Sequence, residues 1–319
     1  MAKVKEQEFN YAVDTSGFVL ALKDSDQDTK SKQTASKIWH VVELVVTYLF
    51  LIAMGVIVIF PFYWMIITSL KSGEEISSIE QTFFPRVILW TNYSKAMKSM
   101  NFAVLLKNTL IVGIISTIGT LITTILAAYA FARLNFKGRD TMFMLLLGSM
   151  MIPGEMMVVS NYISVSRLGW ADMSNTIGNF AAMIVPFWVS IFYIYLLRQN
   201  FKQIPNELYL AAKVDGKSDW EFLWKVMVPL AMPTLTTIFI LKLMGAWNSY
   251  VWPNLIVGGN KKMWLITNGL RRSFNTAEDP DQYGIQMAAT VVVTVPLLLL
   301  FIFFRKYIMR GVGRAGIKG

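Results

Sequence analysis

Leu44-Val45-Val46-Thr47-Tyr48-Leu49-Phe50-Leu51-Ile52-Ala53-Met54-Gly55-Val56-Ile57-Val58-Ile59-Phe60-Pro61-Phe62-Tyr63-Trp64-Met65-Ile66-Ile67-Thr68-Ser69-Leu70 is apolar almost without interruption. A helix that crosses a bilayer needs roughly 20 such residues. Five further runs follow the same rule, at residues 108–132, 142–164, 177–197, 229–252 and 287–304. The expected fold is therefore an all-α membrane protein with six transmembrane helices. Pro61, Pro153, Pro186, Pro233 and Pro296 fall inside these runs. Neighbouring helices in a bundle can satisfy the carbonyls that proline leaves free.

Composition agrees with this reading. Of 319 residues, 55% are hydrophobic and 16% charged, against about 25% charged in soluble domains. The absence of cysteine excludes thiolate metal sites, thiol nucleophiles and disulfides. A single histidine, His40, argues against a multi-His metal site or a His-paired nucleophile. No metal or catalytic site is expected. The net charge of +10 lies mostly between the apolar runs. There it orients helices in a membrane and does not form a nucleic-acid face.

Residues 1–39 form a polar segment with lysines and acids in equal number, read as a solvated cytoplasmic tail, and 40–319 as the six-span domain. Arg133, Lys137 and Arg139 crowd one short loop, and the end after Phe304 carries cations without acids. The positive-inside rule then puts both termini in the cytoplasm.

The largest inner loop, 198–228, joins the fourth and fifth runs. Ile204-Pro205-Asn206-Glu207 reads as a helix start, with proline near the first turn and an acid at the positive dipole end. Gly216 ends that helix. Ser218-Asp219-Trp220-Glu221 reads as a capping box opening a second helix. The product is a helix–glycine–helix elbow. Its small-residue face suits another protein's groove; a connector lying flat at the lipid interface is the other reading. Gly216-Lys217-Ser218 is a decoy for a phosphate-binding loop: Ala211 stands where that motif needs glycine, and the preceding segment reads as helix, not strand.

Leu210-Ala211-Ala212-Lys213-Val214-Asp215-Gly216, continuing to Val228-Pro229-Leu230, resembles the "EAA" loop of binding-protein-dependent ABC importer permeases. The remainder resembles the carbohydrate-type, MalG-like inner-membrane subunits. Phe60-Pro61-Phe62-Tyr63-Trp64-Met65 with Thr68-Ser69-Leu70-Lys71, Ala127-Ala128-Tyr129-Ala130-Phe131-Ala132-Arg133-Leu134, Met151-Ile152-Pro153-Gly154, Leu196-Leu197-Arg198-Gln199, Ala246-Trp247-Asn248, Val251-Trp252-Pro253 and Ala315-Gly316-Ile317-Lys318-Gly319 occur in that family's order. The motif's glutamate falls at Leu210 here, and Glu207 is the nearest acid.

The resemblance implies a type I ABC importer permease in the bacterial inner membrane, importing a sugar or oligosaccharide or a solute such as glycerol phosphate. It implies a second permease subunit as heterodimer partner, two ATPase subunits that bind ATP and Mg, and an extracellular solute-binding protein. Glu207, Leu210, Ala211, Ala212, Asp215 and Gly216 would form the ATPase-coupling helix. Phe274, Glu278, Asp279, Asp281 and Tyr283 would face the binding protein. A secondary transporter, with repeats and coupling-ion acids, or a channel, with a filter, is the alternative class; neither a repeat nor a filter segment is visible.

Glu155 and Lys242 stand out as ionisable residues within runs. Counted along straight helices at 1.5 Å per residue, both lie roughly 20 Å from the inner boundary. They are expected to share the path or an interior ion pair; separate fates, with Lys242 snorkelling and Glu155 on a partner, are the alternative. Trp247 and Asn248, with Tyr250 and Trp252, read either as an interfacial aromatic belt or as a sugar-stacking surface.

Overall fold

The computed structural model describes residues 15–276 and 279–313, with side-chain detail for 39–276 and 279–305. Among the described residues every regular element is a helix. Contacts divide the chain into two units, 1–64 and 65–319.

The described residues of the first unit, 15–64, all lie in one helix, which continues to Ser69. α1 (Thr15–Ser69) begins far upstream of the first apolar run, so the polar segment expected as a solvated tail is helical from Thr15 onward. From Trp39 to Ile67 none of its residues is buried inside the chain, as expected of a surface whose solvent is lipid.

The second unit is a bundle built around α4 (Phe102–Arg133). α5 (Arg139–Ser149), α6 (Val158–Arg167), α7 (Thr176–Ile184) and α8 (Ile191–Gln203) follow it, then α9 (Asn206–Val214), α10 (Asp219–Phe222) and α11 (Val228–Leu230). α12 (Met232–Trp247), α13 (Val251–Val257), α14 (Ile266–Arg272) and α15 (Asp281–Gly313) complete it. Two short helices, α2 (Gly73–Ser77) and α3 (Thr91–Ser99), precede α4. α4 packs on α8 and α12, and α15 packs on α12 and α3. Two apolar cores sit at opposite ends of α4. One gathers Leu105, Val112, Trp247, Trp252 and Trp264. The other gathers Ile125, Ala128, Leu197, Phe201, Phe222 and Met227.

Among the described residues, three helices are long and apolar enough to cross a membrane, and the count reaches six if each of three bent pairs is one span. The expected continuous spans 142–164, 177–197 and 229–252 are therefore broken. The bends are 87° between Ser149 and Gly154, 46° between Phe187 and Ile191, and 76° between Leu230 and Met232. Pro153, Pro186, Pro229 and Pro233 lie at these breaks, where each removes a helical N–H and crowds the preceding turn. Pro61 and Pro296, by contrast, lie inside continuous helices. Neither Glu155 nor Lys242 lies on a straight helix from the start of its apolar run, because the 87° and 76° bends intervene, so the depth of roughly 20 Å expected for both does not hold.

The 46° break is closed by α4 and α12. Thr120 Oγ1 donates to Phe187 O at 3.0 Å and Thr123 Oγ1 to Trp188 O at 2.6 Å. Lys242 Nζ also donates to Phe187 O, at 2.9 Å. Carbonyls freed in an apolar setting are thus paired. Gly119 makes the packing possible, since a Cβ there would lie 2.2 Å from the Trp188 ring.

Candidate functional site

The elbow is built as its residues dictate. α9 ends in a Schellman motif: Lys217 N–H donates to Ala212 O at 2.9 Å and Gly216 N–H to Lys213 O at 3.0 Å. Gly216 has φ +72°, the left-handed region that a Cβ disfavours. Ser218 then caps α10 reciprocally with Glu221. Immediately after it the chain makes a π-helical turn over Leu223–Met227, for which the sequence gives no signal; such turns concentrate at functional sites.

Glu207, Leu210, Ala211 and Val214 recur at helical spacing and are all exposed, as are Asp215 and Gly216. Leu208 extends this apolar stripe. Ala212 does not join it. It is 9% exposed and packs in the core with Phe222 and Phe201. The small-residue face expected at Ala211 and Ala212 is therefore split, with Ala211 facing out and Ala212 facing in.

What holds the elbow was not read from sequence. Asp219 Oδ1 accepts from Tyr209 Oη at 2.9 Å and Tyr129 Oη at 3.1 Å, and pairs with Lys213 Nζ at 3.2 Å. One carboxylate thus ties α9 and α10 to the end of α4. Its hydrogen bond pushes the Lys213 ammonium above the ordinary lysine range. A cross-brace lies beside it. Arg133, at the end of α4, donates to Phe201 O, Ile204 O and Asn206 Oδ1. Arg198, on α8, donates back to Phe131 O at 3.0 Å and lies 3.9 Å over the Phe143 ring. The segments quoted around Arg133 and Arg198 were the signal; their reciprocal use needed the fold.

A cavity of about 390 Å³ lies among α4, α8 and α12, lined by Ser116, Phe187, Ser190, Tyr193, Lys242 and Ser249 among others. Lys242 is half-buried, and its ammonium sits 5.7 Å from the Phe187 ring centroid. Glu155 is exposed in the 3₁₀ turn Gly154–Met157. Among the described residues no ion pair joins Glu155 to Lys242, so the structure does not bring these two together. Trp247 and Trp252 are buried in the core, not arrayed as a lipid-facing belt, and Trp252 Nε1 donates to Ala182 O. Asn248 is exposed beside them and borders a second hollow.

The described residues of the loop 274–284 bond to one another. Asn275 N–H donates to Gln282 Oε1 at 2.7 Å, and Asp281 N–H to Asp279 Oδ1 at 3.0 Å. Asp281 is exposed, and its Oδ1 accepts from Gly73 N–H at 2.8 Å, tying α15 to α2. Tyr283 is exposed, Phe274 half-buried, and Glu278 lies outside the described residues.

Comparison with known proteins finds a match over residues 18–314 to the family described as binding-protein-dependent transport system inner membrane component. The arabinooligosaccharides transport system permease protein AraQ of Bacillus subtilis (strain 168) is 28% identical over 85% of this chain and 94% of its own. The inner membrane ABC transporter permease protein YcjP of Escherichia coli (strain K12) is 30% identical over 83% and 92%. The sn-glycerol-3-phosphate transport system permease protein UgpE of Yersinia pestis is 26% identical over 83% and 94%. Among solved structures, a chain of a bacterial ABC transporter for the acidic polysaccharide alginate matches with TM-score 0.73 and 22% identity, covering 82% of this chain and 95% of that one.

Proposed function

This chain belongs to the family of binding-protein-dependent transport system inner membrane components, and on that premise we propose that it forms half of the translocation path of an ATP-driven sugar importer. It is a multi-pass membrane permease subunit. Family membership sets aside the secondary-transporter and channel readings. The second permease subunit, two ATPases holding ATP and Mg, and an extracellular binding protein complete the machine in this reading. Both termini and the elbow face the cytoplasm in it, in line with the charge distribution. The names of relatives for arabinooligosaccharides and diacetylchitobiose support a saccharide solute.

The observation that carries the reading is the elbow. An isolated nine-residue helix is marginal in water, yet α9 is capped at Gly216, tied through Asp219 and braced by Arg133 while its stripe of Leu210, Ala211 and Val214 stays uncovered. That is how a rigid lever is built for a partner's groove. Leu210, 56% exposed, would then bind by apolar burial where the family's glutamate would bind by charge. Affinity purification of the tagged chain from its own host tests this. An ATPase and a second permease should come with it, and Leu210→Asp should lose the ATPase alone. Recovery of the chain without any ATPase would remove the reading.

A further inference from the structure

Three hollows line the half of the bundle built on α12, α13 and α14. The 390 Å³ cavity has one charged side chain, Lys242. The hollow of about 370 Å³ beside Asn248 and Tyr250 has one, Arg271, whose guanidinium lies 4.6 Å over the Tyr250 ring. A third, of about 250 Å³, has Lys261, Lys262 and Arg272. Among the described residues, no carboxylate lines any of the three. Ser249 lies between the first two: it lines the Lys242 cavity, while its chain neighbours Asn248 and Tyr250 line the Arg271 hollow.

This is a costly arrangement if it is only structural. A lysine within a span normally faces an acid or a water-filled path. Lys242 is given a carbonyl, Phe187 O, which takes one of its three N–H bonds. Ser116, Ser190 and Ser249 add hydroxyls to the same cavity. A cleft with charge of one sign and low-dielectric walls concentrates the opposite ion. We propose that the solute carries an anionic group, a carboxylate or phosphate on a sugar-sized body, that Lys242 receives it in this cavity, and that Arg271 stands on its way there. The proposal rests on the importer reading and specifies its solute.

The chain has no cysteine, so Ser249→Cys gives one reporter in the cavity. The whole transporter is assembled in nanodiscs with cysteine-free partners. Modification rates are measured for an anionic methanethiosulfonate (ethylsulfonate) and a cationic one (ethyltrimethylammonium), each scaled to its rate on free cysteine. The anion-to-cation ratio should exceed that of the Lys242→Met form about tenfold, and Lys242→Arg should restore it. An equal ratio with and without Lys242, as a neutralising carboxylate from the second permease would give, overturns the proposal.

Protection of the same cysteine names the group. Digalacturonate is compared with its neutral methyl ester, and sn-glycerol 3-phosphate with glycerol. Protection by one anion and by neither neutral compound supports the proposal, and the effective anion distinguishes carboxylate from phosphate. Protection by the neutral members, or by none, contradicts it. ATPase co-purification in the same preparations reports separately on the importer reading.

Discussion

At the scale of single residues, the elbow depends on two positions of different kinds. Gly216 is a backbone requirement, since φ +72° costs a residue with a Cβ roughly 1–2 kcal/mol. A Cβ built there meets nothing within 4 Å, so the penalty is conformational, not steric. Gly216→Val should therefore impair coupling while Gly216→Asn, which tolerates this region, stays close to wild type; solute-stimulated ATP hydrolysis distinguishes them, and equal values for both would refute the cap's role. Asp219 is a side-chain requirement. Asp219→Ala frees Tyr129, Tyr209 and Lys213 at once and should uncouple the elbow from α4. Lys225→Ala removes only an exposed i,i+4 pair with Glu221 and should be silent. Gly216 was legible because its role is local. Asp219 was not, because its two tyrosine partners lie 10 and 90 residues away in sequence. Ala212 misled for the same reason: smallness shows in a sequence, but the direction it faces does not.

Among the elements, the broken helices matter most. Hydropathy locates a span and cannot say whether it is straight, so each apolar run was legible and three bends were not. Proline was an ambiguous cue, present at breaks and inside continuous helices alike. The 46° break is held by Thr120, Thr123 and Lys242 on other helices. Thr120→Val with Thr123→Val would leave the Trp188 carbonyl unpaired and that of Phe187 with Lys242 as its one remaining donor. The expected loss is about 1–3 kcal/mol for each carbonyl left buried and unsatisfied. Thermal unfolding of the assembled transporter in nanodiscs should show a lower midpoint; an unchanged midpoint would mean that α4 does not support the break. Gly119→Ala tests the same contact by volume, and should cost about 1–3 kcal/mol by overpacking against Trp188.

For the whole molecule, the orientation proposed from lysine and arginine placement has a direct check on the cysteine-free background. An impermeant thiol reagent applied to intact cells should label a cysteine at position 90 or 279 and spare one at 137 or 217; the opposite pattern would invert the topology. The central claim is that α9 passes ATPase movement into the bundle, and its exposed stripe is where that claim can fail. Ala211 lies in this stripe, whereas Ala212 belongs to the core, so Ala211→Trp alters the docking surface and leaves the chain's own packing intact. The measurement is solute-stimulated ATP hydrolysis by the reconstituted transporter carrying Ala211→Trp. Weakened docking of about 1–3 kcal/mol predicts stimulation reduced about fivefold or more at normal abundance of the chain; wild-type stimulation would show that the elbow is only a connector.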